Sequence, residues 1–217
     1  MIISTQQLNQ FESRYRAQLI NSLSGFKSAN LVGSIDATGQ SNLSIVSSVF
    51  HIGATPPLVG MIFRPHSVPR HTLENILKTK SYTINQVSID IYRQAHQTSA
   101  RYARSSSEFC KTDLTEEYLE GTQAPFVKES KLKYSLNLRE HQILKINNTE
   151  LIIGEISSII IEDSAIQKDG YVDIEALSTV AISGLDSYHA TQRISRLSYA
   201  KPDIMVSNLS LNGQADS

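Results

Sequence analysis

Residues 31–63 read LVGSIDATGQSNLSIVSSVFHIGATPPLVGMIF, and this segment decides the fold class. It contains three apolar runs, at 31–35, 43–51 and 58–63, which are separated by a Gly-containing turn and by Pro56-Pro57. Short runs rich in Ile, Val and Leu with Gly and Pro between them are typical of neighbouring antiparallel strands. The segment therefore predicts an antiparallel barrel or sandwich.

Further strands are predicted downstream. Between 131 and 139, Leu and Tyr alternate with Lys, Ser, Asn and Arg, the pattern of a half-buried strand. The runs 143–146 and 151–161 flank Asn147-Asn148, which predicts a two-residue hairpin turn because Asn tolerates positive φ. Ile159-Ile160-Ile161 is predicted to be buried on both faces.

Helices are predicted at two places. Ser4 and Gln7 have capping-box spacing, and an apolar pattern continues to Gly25. Residues 70–80 carry one apolar stripe of Leu73, Ile76 and Leu77. The sequence thus predicts a mainly β fold, a β-barrel with peripheral helices, and not a doubly wound parallel sheet. We divide the chain into a helical extension (1–26), a barrel domain (27–205) and a disordered tail (206–217).

Composition excludes several classes of protein. The 217 residues include 20 Lys+Arg and 21 Asp+Glu, a net charge of −1, which argues against a nucleic-acid or anionic-membrane partner. No segment approaches the ~20 apolar residues that span a bilayer, and the first residues lack the features of a signal peptide, so we expect a cytoplasmic protein. Cys110 is the single cysteine, and the six histidines show no metal-ligand spacing, so we expect no metal site.

Residues 64–72, RPHSVPRHT, place two arginines, two histidines and two hydroxyl groups between a predicted strand and a predicted helix start. Free backbone N–H groups at a helix start attract anions, and Arg adds donors that match a phosphate. The functional interpretation is a phosphate site; the alternative is a basic loop in water. Similarly, Ser44, Ser47 and Ser48 either bond the neighbouring strand or face a polar cofactor.

The order of these segments resembles the flavin reductase-like family, whose domain is an FMN-binding split β-barrel of Greek-key-like type. Residues 42–50 are similar to its Asn-x-x-P-x-S-x-F strand, with Ile45 where proline is usual. Residues 56–61 resemble its PP-hydrophobic strand, 70–76 its Lys-Asp-Thr-x-x-Asn helix start, 82–85 its Phe-x-Val-Asn strand and 154–156 its Gly-Glu-Val strand.

The resemblance implies that FMN lies along 42–50, that Ser47 or Ser48 and backbone groups read its polar edge, and that Arg64, Arg70 and Thr72 meet its phosphate. The implied cofactor-binding residues are Asn42, Ser47, Ser48, Val49, Phe50, Arg64, Arg70, His71, Thr72 and Asn75. The resemblance also implies a homodimer.

The leading hypothesis is an oxidoreductase that passes hydride from NAD(P)H to flavin N5, with no assigned catalytic residue because the cofactor carries the chemistry. The family often has Asp where His71 stands, and a His before the Gly-Glu strand that is missing before Gly154. One alternative is therefore a non-catalytic FMN-binding carrier or sensor. Another is a split-barrel oxidase of a pyridoxine-type substrate, for which His189 and Arg193 are the only candidates for a second cationic pocket.

Overall fold

The computed structural model describes residues 1–215, in which strands predominate over helices. The helices are α1 (Thr5–Gln10), α2 (Ser13–Ser22), α3 (His71–Thr79), α4 (Tyr92–Gln97) and α5 (Glu108–Thr112). The strands are β1 (Lys27–Ser28), β2 (Asn30–Ile35), β3 (Ser41–Val46), β4 (Val49–Ala54), β5 (Pro57–Phe63), β6 (Ser81–Gln86), β7 (Glu116–Glu117), β8 (Phe126–Val127), β9 (Leu132–Leu144), β10 (Thr149–Ile161), β11 (Val180–Ser183), β12 (Ser187–Ala190), β13 (Arg196–Leu197) and β14 (Asn208–Leu209).

Seven of these strands form one antiparallel sheet in the order β3-β2-β6-β9-β10-β5-β4. The two outermost strands, β3 and β4, are joined by only Ser47 and Ser48. The sheet must therefore curl until its two edges meet, which is how a barrel arises from an open sheet. The prediction of a mainly β, antiparallel barrel with peripheral helices is confirmed.

The barrel strand β2 is buried on both of its faces. Val32 belongs to the cluster that also contains Met61, Tyr82 and Leu136. Leu31, its neighbour in sequence, belongs to a second cluster, which lies against α4, α5 and β11. Because successive side chains of a strand point to opposite faces, one strand supplies two cores, and the peripheral elements are held to the outside of the barrel by the second one.

The sequence predicts one strand over 43–51, but the structure has two strands there, β3 and β4. The prediction of a single continuous strand is therefore wrong. β3 pairs with β2, whereas β4 pairs with β5, and the chain changes partners at Ser47–Ser48. The Ser48 hydroxyl donates to the Ile62 carbonyl at 2.7 Å, which holds the corner against β5. The corner separates the predicted cofactor residues on 42–48 from Val49 and Phe50.

The long hairpin of β9 and β10 differs from the prediction in two respects. The connection spans 145–148, four residues and not two, since Leu144 pairs with Thr149; Asn148 has the expected positive φ of 57°. Ile159 is 59% exposed, so the prediction that 159–161 is buried on both faces is wrong.

The two ends of the chain also contain short elements. The predicted N-terminal helix is two helices, and the Glu12 carboxylate begins the second by accepting the N–H groups of Arg14 and Tyr15 at 2.9 and 3.0 Å. Near the other end, β14 lies inside the predicted tail 206–217 and pairs with β13, which lies before the tail. Residues 216–217 of the tail lie outside the described residues. Among the helices of residues 1–215, none has the length and apolar character to cross a membrane.

Candidate functional site

A cavity of about 940 Å³ lies beside the end of β3 and the start of α3. Its walls come from the 64–72 segment, the Ser47–Ser48 corner, the loop at 98–104 and the hairpin of β11 and β12. Ligand cavities usually measure roughly 300–1,000 Å³, so this one is large enough for a nucleotide-sized ligand with space beside it.

Seven of the ten residues implied to bind the cofactor line this cavity. They are Asn42, Ser47, Ser48, Arg64, Arg70, His71 and Thr72. The fold brings together a strand end and a loop that are about twenty residues apart in sequence, because β3 and the start of α3 are neighbours in space.

The other three implied residues lie elsewhere. Val49 packs against the barrel cluster. Phe50 is 43% exposed, and its ring lies over Gly60, where an added Cβ would be only 2.6 Å from the ring. Asn75 is buried on α3 and donates to the Ser34 hydroxyl at 3.2 Å, so its amide holds the helix to the barrel.

The outer edge of β3 is partly closed by side chains. The Leu43 N–H donates to the Glu108 carboxylate at 2.9 Å, and the Ile45 N–H donates to the Thr98 hydroxyl at 2.9 Å. Every second N–H group along this edge is thus involved, and the next residue in that series after Leu43 and Ile45 is Ser47, which lines the cavity. Within residues 1–215 the Ser47 N–H makes no hydrogen bond, so it is open to a ligand.

A chain of polar side chains ties α3 to β3. The Asn42 amide donates to the Thr72 hydroxyl at 3.4 Å, and that hydroxyl donates to Ser44 at 2.8 Å. Ser44 therefore bonds α3 rather than a neighbouring strand, and it borders the cavity together with Ser47 and Ser48. That these serines face a cofactor stays a prediction.

Arg70 combines a cavity position with an unsatisfied donor. One terminal nitrogen of its guanidinium reaches the Pro65 carbonyl at 3.5 Å, but its Nε is buried and has no hydrogen-bond partner within residues 1–215. A buried donor without a partner costs about 1–3 kcal/mol. An anion bound at the start of α3 would meet the Arg70 guanidinium and the free N–H groups of the helix.

Two titratable groups of the cavity have shifted pKa values. Burial lowers the pKa of His71, and the nearby Arg104 lowers it further, while Glu108 opposes the shift. Burial raises the pKa of Glu108, partly offset by the hydrogen bond from Leu43. His71 is thus favoured as neutral imidazole, and Glu108 holds its proton to a higher pH than an exposed carboxyl.

Glu74 joins the two loops that border the cavity. Its carboxylate accepts the Arg70 N–H at 2.9 Å, contacts His66 Nε2 at 3.0 Å and pairs with Arg104. His66 also lies 3.8 Å from the buried Glu150, which contacts His141 at 2.7 Å. The 64–70 and 98–107 loops are therefore held by one carboxylate.

Sequence reasoning missed much of the cavity wall. The missed residues with polar or aromatic side chains include His96, Thr98, Arg101, Tyr102, Arg104, Glu108 and Tyr188. The only local signal was the basic pair in Arg101-Tyr102-Ala103-Arg104, inside a stretch that reads as polar loop.

The proposed second cationic pocket does not lie at the cavity. His189 contacts the Ser183 hydroxyl at 2.8 Å. Arg193 pairs with Asp173 at 3.1 Å and lies 3.6 Å from Glu175. Neither borders the cavity, and both side chains already have protein partners. In the part of the chain that the structure describes, no group of three or more His, Cys, Asp and Glu could hold a metal.

Comparison with known proteins identifies the domain. The family model described as "Flavin reductase like domain" matches residues 25–175. A split-barrel-domain protein from Shewanella frigidimarina, a proposed flavin reductase, is 59% identical with a TM-score of 0.89, and the match covers 92% of this chain and 100% of that one.

Two more distant structures share the fold. Nitrilotriacetate monooxygenase component B from Bacillus cereus is 18% identical with a TM-score of 0.81, over 91% of this chain and 98% of that one. An FMN-binding protein from Thermus thermophilus is 15% identical with a TM-score of 0.62, over 76% of this chain and 85% of that one. The barrel described above is therefore the split β-barrel of these proteins.

Proposed function

The chain belongs to the flavin reductase-like domain family, and from this premise we propose that it is an FMN-dependent oxidoreductase that takes hydride from NAD(P)H. The observation that carries the proposal is Arg70, a cavity-lining cation at the start of α3 whose buried Nε has no hydrogen-bond partner within residues 1–215. A phosphate ester at the start of α3 would accept hydrogen bonds from the guanidinium and from the free N–H groups of the helix.

The residues of the cavity fit a flavin nucleotide at both its charged and its polar parts. Arg64 and Arg70 hold the phosphate, and the Thr72 hydroxyl stands beside them on α3. The Ser47 N–H and the side chain of Ser47 or Ser48 hydrogen-bond the polar edge of the ring. When bound, FMN supplies a hydride acceptor at N5, so no acid or base of the chain is required for the transfer.

The further properties that we propose follow from the same premise. The protein works as a homodimer in the cytoplasm, with FMN in each cavity and a nicotinamide nucleotide as donor. The domain proper spans 27–205, and it contains every residue assigned to the site.

One observation favours a second candidate, a non-catalytic FMN carrier or sensor. Of the five residues before Gly154, only Thr149 borders the cavity, and none of the five is a histidine. Such a protein would bind FMN with the same residues but would not accept electrons from a nicotinamide nucleotide.

Three measurements on the purified full chain test the proposal. The absorbance spectrum and mass analysis of any released cofactor identify what is bound. A fluorescence titration then gives the FMN dissociation constant, and NADH and NADPH oxidation are followed with FMN supplied. Binding with turnover is the expected result. Binding without turnover establishes the carrier, and the absence of both overturns the proposal.

A further inference from the structure

Part of the cavity is formed by side chains that the flavin proposal does not use. They are His96 from α4, Arg101 from the following loop, and Ile182, Leu185 and Tyr188 from the hairpin of β11 and β12. The hairpin begins five residues after position 175, where the match to the family model ends. The hairpin part of this wall therefore lies outside the residues that the family model matches, whereas His96 and Arg101 lie inside them.

The centre of this wall is a pair of aromatic rings. His96 Nδ1 and the Tyr188 hydroxyl lie 3.0 Å apart, and the two rings meet edge to face at 5.7 Å and 81°. Tyr92 packs behind Tyr188, with ring centroids 5.4 Å apart. Aromatic rings in such arrangements offer both a face and an edge to another flat ring.

The hairpin that carries Tyr188 is anchored on the side of the N-terminal helices. The Lys27 ammonium donates to the Gly184 carbonyl at 3.0 Å, and the Gln18 amide donates to Asp186 at 3.0 Å. β11 is also paired with β1. Because three separate contacts hold it, the hairpin presents Tyr188 as a fixed wall, and a ligand would meet a preformed surface.

The charge of this region comes from Arg101. In residues 1–215 its guanidinium has no acidic partner, whereas Arg104 is paired with Glu74. Asp186, the acidic residue of the hairpin turn, is engaged by Gln18. Burial, with a smaller effect of Asp186, raises the pKa of Tyr188 to about 12, so the hydroxyl keeps its proton in its contact with His96 Nδ1. The region thus offers apolar walls, an aromatic pair and the cation of Arg101.

We propose that this region is a subsite for a second ligand, a small planar aromatic carboxylate whose ring lies against Tyr188 and His96 and whose carboxylate meets Arg101. Leu185 and Ile182 supply the apolar contacts to the ring edge. The inference rests on the proposed function only in that the remainder of the cavity holds FMN.

Benzoate is the probe for this subsite, and isothermal titration calorimetry on the FMN-loaded protein is the measurement. We expect saturable binding of benzoate and weaker binding of benzamide, which lacks the charge. Tyr188→Leu and Arg101→Gln should each weaken benzoate by about tenfold or more, since each removes a ring contact or a charge-assisted hydrogen bond. Tyr188→Phe keeps the ring and should retain part of the affinity.

Matched controls are Tyr199→Leu and Arg139→Gln, whose side chains do not border this cavity and should leave benzoate binding unchanged. FMN affinity is measured separately for every variant and should stay within about twofold of the wild type. Absence of saturable binding by benzoate, or equal binding by the Tyr188 and Arg101 variants, overturns the inference. Failure to bind FMN counts against the proposed function instead, because benzoate can also be titrated into the flavin-free protein.

Discussion

The Glu108 carboxylate accepts the backbone N–H of Leu43 at 2.9 Å and so closes part of the exposed edge of β3. The same oxygen accepts from the Asn42 amide at 3.1 Å. Glu108 is only 7% exposed, and burial raises its pKa above the usual 4.5. A cavity wall is thus built around a carboxyl group that is costly to ionise.

This arrangement predicts a pH dependence of stability. Because the pKa of Glu108 is raised, the folded state binds its proton more tightly than the unfolded state does, and stability falls as the pH rises from 4.5 through the raised pKa. Glu108→Gln removes that titration, so its free energy of unfolding relative to the wild type should improve over this pH window.

Urea denaturation at a series of pH values measures the effect, with the exposed Glu120→Gln as the control. If the difference in free energy of unfolding between Glu108→Gln and the wild type were the same at all pH values, Glu108 would have an ordinary pKa.

Arg70→Gln should weaken FMN binding by about 10- to 100-fold, because a charge-assisted hydrogen bond contributes about 1.5–3 kcal/mol. Riboflavin, which lacks the phosphate, should bind the variant and the wild type alike. Arg64→Ala should behave in the same way. Fluorescence titrations with both flavins make the comparison, and Arg139→Gln, which breaks the pair with Glu155 on the β9–β10 hairpin, is the control. Equal losses for FMN and riboflavin would refute the phosphate assignment.

Glu74→Gln should speed the dissociation of FMN by roughly two- to fivefold, since the partly exposed pair with Arg104 contributes up to about 1 kcal/mol. The physical reason is that Glu74 holds both loops beside the cavity. Stopped-flow displacement of FMN measures the rate. The control is Glu155→Gln, which removes a comparable ion pair from the β9–β10 hairpin and should leave the dissociation rate of FMN unchanged. If both substitutions changed the rate similarly, Glu74 would have no specific role in holding the loops.

Tyr82→Phe should raise the free energy of unfolding or leave it unchanged. The Tyr82 hydroxyl is buried and has no hydrogen-bond partner within residues 1–215. Removing a buried donor without a partner relieves a penalty of about 1–3 kcal/mol. Chemical denaturation measures the change, and a loss of more than about 1 kcal/mol would indicate a partner for this hydroxyl.

Gly154→Ala should destabilise the barrel by about 1–3 kcal/mol through overpacking. A Cβ at Gly154 would collide with the Tyr82 hydroxyl and lie 3.1 Å from Leu136 Cβ. In the Tyr82→Phe background the loss should be smaller, because the colliding oxygen is gone. The four proteins form a double-mutant cycle, and additive effects would contradict the contact.

Local sequence patterns predicted the barrel strands well where one face is buried. The alternation at 131–139 predicted part of β9, and the apolar stripe at 70–80 predicted α3. The local patterns failed where the chain changes its strand-pairing partner. Nothing in the sequence 43–51 distinguishes a continuous strand from two strands that meet at Ser47–Ser48. Pairing partners are distant in sequence, and periodicity carries no information about them.

The candidate site shows the same division. Arg64, Arg70 and Thr72 could be proposed because they are close together in the chain, at the start of a helix with free N–H groups. Glu108, Thr98 and Tyr188 could not, because each belongs to an element that reaches the cavity only through packing on the second core.

The sequence by itself determined the strand-rich barrel, the helix start at His71 and the positive charge beside it, since these depend on local periodicity, breakers and residue type. Tertiary structure alone decided that the barrel closes at Ser47–Ser48, that Arg70 Nε is left without a partner, and that Tyr188 faces the same cavity as Arg70. The physical reason is that these features arise from contacts between segments many residues apart, whose formation depends on how all the elements pack together.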